Sequence, residues 1–211
     1  MRRILIGVAV ASFVACGIAR AQSPGPFTTA QMLPVNGHFA GGYLQTSDSE
    51  IGLLSQLRLS FYPGVDFGFQ GGLSRLDNGS SNMGVLRVGA DVRFGIARTS
   101  QGAKVDFALG GGFGVDVGDT YTLLSIGPTA YASVPFAVGG RSTLSPYAVT
   151  GISLNHGSVS SVNHNDVTVP INLGLEFKPG TAMAIALELQ LRPADDFRDD
   201  VGLAFGVNLP F

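Results

Sequence analysis

From Pro34 to the end of the chain, apolar and polar residues alternate with a period of two. This is the repeat of a strand whose successive side chains point to opposite faces. The clearest stretch is 182–192, where Met183, Ile185, Leu187, Leu189 and Leu191 form one face. Ala182, Ala184, Ala186, Glu188, Gln190 and Arg192 form the other. The pattern recurs in Val167, Val169, Ile171, Leu173, Leu175 and Phe177 against Thr168, Asn172, Gly174, Glu176 and Lys178. It recurs again in Leu86, Val88, Ala90, Val92 and Phe94 against Arg87, Gly89, Asp91 and Arg93. Leu53, Leu57, Leu59 and Phe61 oppose Gln56, Arg58 and Ser60. Val65, Phe67, Phe69 and Leu73 oppose Asp66, Gly68, Gln70 and Ser74, and Val105, Phe107 and Leu109 oppose Lys104, Asp106 and Gly110. Segments near 121–136, 144–156 and 35–46 alternate less cleanly, with Pro128 on the apolar face of the first of these. The last segment, 201–211, is clear.

These are ten strand segments, each long enough for a tilted membrane strand of about 9–11 residues. Their connections fall into two alternating sets. One comprises Pro63-Gly64, 97–102, 137–143 and Pro179-Gly180; the other comprises 47–50, 77–82, 118–120, 157–165 and 194–200. The pattern predicts an all-β, up-and-down antiparallel transmembrane barrel over 34–211, with eight strands as the alternative to ten. An even count puts both chain ends on one side.

Composition separates this reading from its rivals. Charged residues make up 13% of the chain, against about 25% in a typical soluble domain. After the N-terminus no apolar run approaches the length of about 20 residues that a spanning helix needs. Alternation also fits a secreted soluble barrel that binds an apolar ligand inside. The polar face, however, is mostly Gly, Ala, Ser and Thr, a thin coat for a water-exposed exterior, and 30 residues are glycine. The membrane reading puts the apolar face outward. Phe61, Tyr62, Phe94, Phe136, Tyr147, Phe177 and Phe211 lie near the ends bordering the first connection set, like an interfacial girdle.

The N-terminus reads as an export signal: Met1-Arg2-Arg3, an apolar run from Ile4 to Ala15, and Ala19-Arg20-Ala21 as a cleavage site. Residues 1–21 are the expected signal peptide. Its loss takes three arginines and no acid, so the formal charge falls from −2 to −5. Phe13-Val14-Ala15-Cys16 also loosely resembles a lipoprotein signal, in which Cys16 is lipidated rather than discarded. The single cysteine excludes an internal disulfide. Residues 22–33, with Pro24 and Pro26, read as a flexible lead-in. Without a basic run, nothing points to nucleic acid, and no cofactor is expected.

A terminal Phe closing an alternating strand, here Val201, Leu203, Phe205, Val207, Leu209 and Phe211, resembles the C-terminal signature of small bacterial outer-membrane β-barrel proteins; Pro210 departs from it. The resemblance implies residence in the outer membrane, contact with its lipids and lipopolysaccharide, and recognition of the last strand by the barrel assembly machinery.

Three clusters are candidates for chemistry. By strand parity Arg58, Arg87, Asp91, Arg93, Asp106, Glu176 and Glu188 line the lumen, with Lys104, Lys178, Asp66 and Asp116. They form either a structural salt-bridge network or the lining of a small porin-like pore. His156 and Ser158, with Asp166, could support acyl transfer, and their spacing is similar to that of lipid A deacylase barrels. The competing reading is a polar loop, and it applies equally to a metal site of His156, His164 and Asp166. The acidic loop of Asp195, Asp196, Asp199 and Asp200 either attracts divalent cations or keeps the rim wet. The run Gly110-Gly111-Gly112-Phe113-Gly114 lacks the Lys-Ser/Thr of a phosphate loop.

Overall fold

The computed structural model describes residues 27–77, 82–159, 162–193 and 199–211. The expected signal peptide and Cys16 lie outside these residues. The strands are β1 (His38–Ser47), β2 (Glu50–Tyr62), β3 (Val65–Asp77), β4 (Asn82–Ala97), β5 (Asp106–Gly118), β6 (Tyr121–Ser133), β7 (Phe136–Gly139), β8 (Ser142–Gly151), β9 (Ser153–Val159), β10 (Val162–Thr168), β11 (Ile171–Lys178), β12 (Ala184–Leu191) and β13 (Val201–Pro210). All pairings are antiparallel. β1 bonds to both β2 and β13, which closes the sheet.

Three staves of the barrel are each made of two strands. β7 continues β6, β9 continues β8 and β10 leads into β11, so thirteen strands make ten staves. Closure removes sheet edges, which hydrocarbon cannot satisfy. The start of β1 and the end of β13 fall on the side of the Pro63-Gly64 turn, called the near end here; the β1–β2 turn marks the far end.

The apolar faces point outward. Leu53 is 68% exposed, Leu73 65% and Leu187 52%, while Glu176 and Glu188 are buried. Phe61, Tyr62, Phe94, Phe136, Phe177 and Phe211 are exposed near one end, as a girdle requires. Tyr147 is an exception. It is buried because its parity matches the inward Ser145 and Val149, not the outward row. Lys104 was expected in the lumen but is exposed in the connection before β5.

The N-terminal segment also departs from expectation. Residues 27–33 form neither helix nor strand, yet they are not a free lead-in. They run inside the barrel from the near end, with Phe27, Thr28, Thr29 and Ala30 buried. The Phe27 ring stacks on Tyr43, with centroids 4.3 Å apart, and packs with Leu54 and Ala204. Apolar side chains in a mostly small and polar lumen provide a place for such a segment to bury carbon.

Candidate functional site

The inward face of each stave supplies the site, because alternation sends every second residue to the axis. Bulky polar groups fit where a neighbouring stave contributes glycine. Arg58 on β2 is in register with Gly68 on β3, and Gly68 with Asp91 on β4. The guanidinium crosses over Gly68, and its Nη2 donates to both Asp91 oxygens, at 2.7 and 2.8 Å. Gln70 Nε2 adds a bond to the same carboxylate at 2.5 Å.

The other inward groups form similar layers. Toward the near end, Arg93 Nη2 meets Asp66 Oδ2 at 2.8 Å, and its Nη1 donates to the Thr29 carbonyl at 2.5 Å. Asp66 also accepts from the Leu33 amide, at 3.3 Å to each oxygen. The guanidinium lies over the Tyr131 ring, 5.1 Å from its centroid. Ser133 Oγ accepts from the Ala30 amide at 3.1 Å. Lys178 Nζ reaches Glu176 at 2.9 Å and Gln31 at 3.0 Å. Thus Arg93, Asp66, Ser133 and Lys178 all bind the N-terminal segment.

Toward the far end, Arg87 pairs with Glu50 and lies 3.6 Å from Asp116. A second network gathers on Glu188. It accepts from Tyr147 Oη at 2.9 Å, Asn172 Nδ2 at 3.0 Å and Gln190 Nε2 at 2.8 Å. Gln45 and Arg192 extend it through Gln190. The far end is filled by Leu76, Val85, Tyr121 and Leu123.

The structure therefore brings Arg58, Arg87, Asp91, Arg93, Glu176 and Glu188 inside the barrel. Asp106 is also buried, but it turns to the near-end connection, where it accepts from the Thr99 amide at 2.6 Å and hydroxyl at 2.9 Å. Arg58, Arg87 and Arg93 are each 0% exposed. Buried cations at this depth need partners, since an isolated one would be strongly disfavoured. Parity pointed to these residues. It did not point to Tyr43 and Tyr147, nor to the segment 27–33. The available signal was Phe27 and Met32, bulky apolar residues inside an otherwise small and polar leader.

The other two candidates are dispersed. His156 is exposed on β9, and its Nδ1 lies 2.6 Å from Asn165 Oδ1. Ser158 follows on the same outward parity. Asp166 is in register with Asn155, whose side chain is buried and bonds Thr168. Asp166 thus belongs to the opposite face from His156, and the three do not form a relay. Among the described residues, no three His, Cys, Asp or Glu side chains gather to hold a metal ion. Asp195 and Asp196 lie outside the described residues. Asp199 is buried and ties the far-end connections together, accepting from Ser47 Oγ at 2.6 Å and from the Ser49 amide and hydroxyl at 3.0 and 2.7 Å.

No family model and no curated protein sequence matches the chain. Solved structures do. A bacterial polysaccharide outer-membrane secretin is similar with a TM-score of 0.51 at 10% identity, covering 85% of this chain and 67% of its own. The β domain of the Bordetella autotransporter BrkA is similar with a TM-score of 0.50 at 11% identity, covering 84% of this chain and 100% of its own. At such identity the likeness speaks for architecture alone. The chain has the fold of the bacterial outer-membrane β-barrel proteins, and its outward apolar belt fits it to span that membrane.

Proposed function

We propose that this protein is a structural outer-membrane barrel with a closed lumen, rather than an open pore. One observation carries the reading: Arg58, Arg87 and Arg93 are all fully buried in ion pairs at successive depths, and the lowest of them also holds the backbone of an inserted segment. A conducting lining leaves its charges facing water. Here they face one another, and ten staves sit close to the eight that side chains fill.

The test is conductance of the mature protein in planar bilayers. The expected result is a flat trace under applied voltage, and regular ohmic steps would overturn the reading. The proposal gives His156 and Ser158 no catalytic part. Lipid A incubated with the protein in detergent should keep all its acyl chains; their release by wild type and not by His156→Ala would establish the hydrolase instead.

The partners in this reading are the lipids and lipopolysaccharide around the belt, together with the assembly machinery acting on β13. The exposed Phe211 supports the second of these, with its ring 4.3 Å from that of His38 at the closing seam. Phe211→Ser should lower assembled protein in cells while leaving spontaneous folding into vesicles unchanged. Equal loss in both would count against recognition by the machinery.

A further inference from the structure

The barrel wall is interrupted at mid-height on one side. β8 bonds to β11 as far as Thr150 opposite Ile171, and β9 bonds to β10 from Ser153 opposite Thr168. Between them, Gly151 and Ile152 face Val169 and Pro170 with no ladder. The next seam is broken at the same height. β6 pairs with β9 up to Ile126 and with β8 from Thr129, which leaves out Gly127 and Pro128. One bond crosses there, from the Ile152 amide to the Pro128 carbonyl at 3.1 Å. Pro128 and Pro170 have no N–H to give a ladder. Gly112, Gly127 and Gly151 give the wall no side chains at this level.

A cavity of about 130 Å³ lies in this gap. Its lining comes from both sides of the wall. Ile126 and Ile152 belong to the outward belt, whereas Tyr131, Val149 and Asn172 are buried inside. The cavity therefore borders both the hydrocarbon-facing belt and the lumen side of the wall. Its volume approaches that of an engineered apolar cavity of about 150 Å³ that takes up benzene. Asn172 supplies a second observation. Its side chain is 5% exposed, its Nδ2 is committed to Glu188, and its Oδ1 has no hydrogen-bond partner. A buried acceptor left in that state is unfavourable until a donor reaches it.

We propose that this gap is a lateral binding site for a single alkyl chain bearing a hydroxyl group. The chain enters from the membrane between Ile126 and Ile152, and its hydroxyl donates to Asn172 Oδ1. An alkyl chain is the occupant because the outer lip is part of the lipid-facing belt, so hydrocarbon is what the opening meets. A hydroxyl is the head because the waiting group is an acceptor. The site does not depend on whether the lumen conducts.

The test is photolabelling with an aliphatic diazirine analogue of dodecanol, on the folded protein in dimyristoyl phosphatidylcholine vesicles. Adducts are mapped by peptide mass spectrometry. Labelling within 125–131, 149–153 and 170–172 should fall at least about tenfold under excess dodecanol, as expected of a saturable site. Labelling of the open belt at 201–209 should not fall, because annular contacts do not saturate. Val149→Phe, which fills the cavity, should abolish the competed adducts alone, and the smaller Val149→Leu should weaken them if the first variant does not fold. Equal labelling and equal competition at the gap and at 201–209 in wild type would overturn the proposal. Competition by dodecane as strong as by dodecanol would remove the role of Asn172.

Discussion

The Tyr147 hydroxyl donates to Glu188 across a strand that contributes only a glycine between them. Tyr147 on β8 is in register with Gly174 on β11, and Gly174 with Glu188 on β12. Arg58, Gly68 and Asp91 repeat the arrangement on the other side of the barrel. In each case a long side chain leaves its own stave, passes over an empty position and ends on a carboxylate one stave further on. Glycine here provides space rather than backbone freedom. A methyl on Gly68 would overlap both Arg58 Nη2 and Asp91 Oδ2, and one on Gly174 would overlap the Tyr147 ring.

Gly68→Ala should therefore break the Arg58–Asp91 pair and leave both charges buried. Losing a buried partner costs about 3–5 kcal/mol, and this substitution should approach that range. Gly84→Ala is the matched control, because nothing lies within 4 Å of its added methyl. Urea unfolding of vesicle-embedded protein, followed by heat-modifiable gel migration, measures both. Similar midpoints for the two variants would show that the crossing is not needed.

The alternation along the chain made much of this legible. Period two separated the two faces and marked ten staves, because a one-residue slip would invert every face, and the thin coat of the polar face decided that the apolar one looks outward. It failed where inward positions are themselves apolar. Tyr147 and Val149 face inward, so 144–156 has no clean polar row, and Tyr147 reads like a girdle residue by its position near a strand end. The partners of each charge were not legible either. That Asp91 serves Arg58, and Asp66 serves Arg93, depends on register between staves, which no single segment encodes. The segment 27–33 has no period because it is neither helix nor strand, and its docking relies on side chains contributed by β1, β2, β3, β4, β6, β11 and β13.

That docking has its own signature. Phe27 is buried against Tyr43, Leu54 and Ala204, and loss of a buried phenyl costs about 3–5 kcal/mol where the surroundings stay fixed. Here the segment is free to leave the lumen, so Phe27→Ala should appear as undocking rather than global unfolding. Proteinase K should cut within 27–33 in the variant and spare it in wild type, with the barrel intact in both. Conductance should stay flat, because the Arg58 and Arg87 pairs belong to the wall and not to the segment.

The far-end connections make a separate prediction. One oxygen of Asp199 accepts three hydrogen bonds from Ser47 and Ser49, and bonds to a charged group contribute about 1.5–3 kcal/mol. Asp199→Ala should speed amide exchange at Ser49 by at least about tenfold, the equivalent of 1.4 kcal/mol. EDTA should leave Ser49 exchange in wild type unchanged, since the three bonds from the serines hold the carboxylate without help from a cation. A chelator effect as large as that of the substitution would restore the cation reading of this loop.

The pair of Arg93 and Asp66 allows the most discriminating test, since burial and partnership can be varied separately. Both side chains are 0% exposed, and Arg93 is further engaged by the Thr29 carbonyl and the Tyr131 ring. Asp66→Leu leaves the guanidinium buried with its charge uncompensated, and should cost about 3–5 kcal/mol. Arg93→Leu should cost a similar amount, because Asp66 would keep only the Leu33 amide as donor. The double substitution removes both charges at once. Replacing a buried pair with apolar residues is often neutral, so the double variant should unfold at a urea midpoint nearer wild type than either single variant. Its N-terminal segment should nonetheless be cut by proteinase K, because the Thr29 and Leu33 anchors go with the pair. Full additivity of the two single losses would mean that the charges do not act on each other, and that the lumen is wetter than their burial implies.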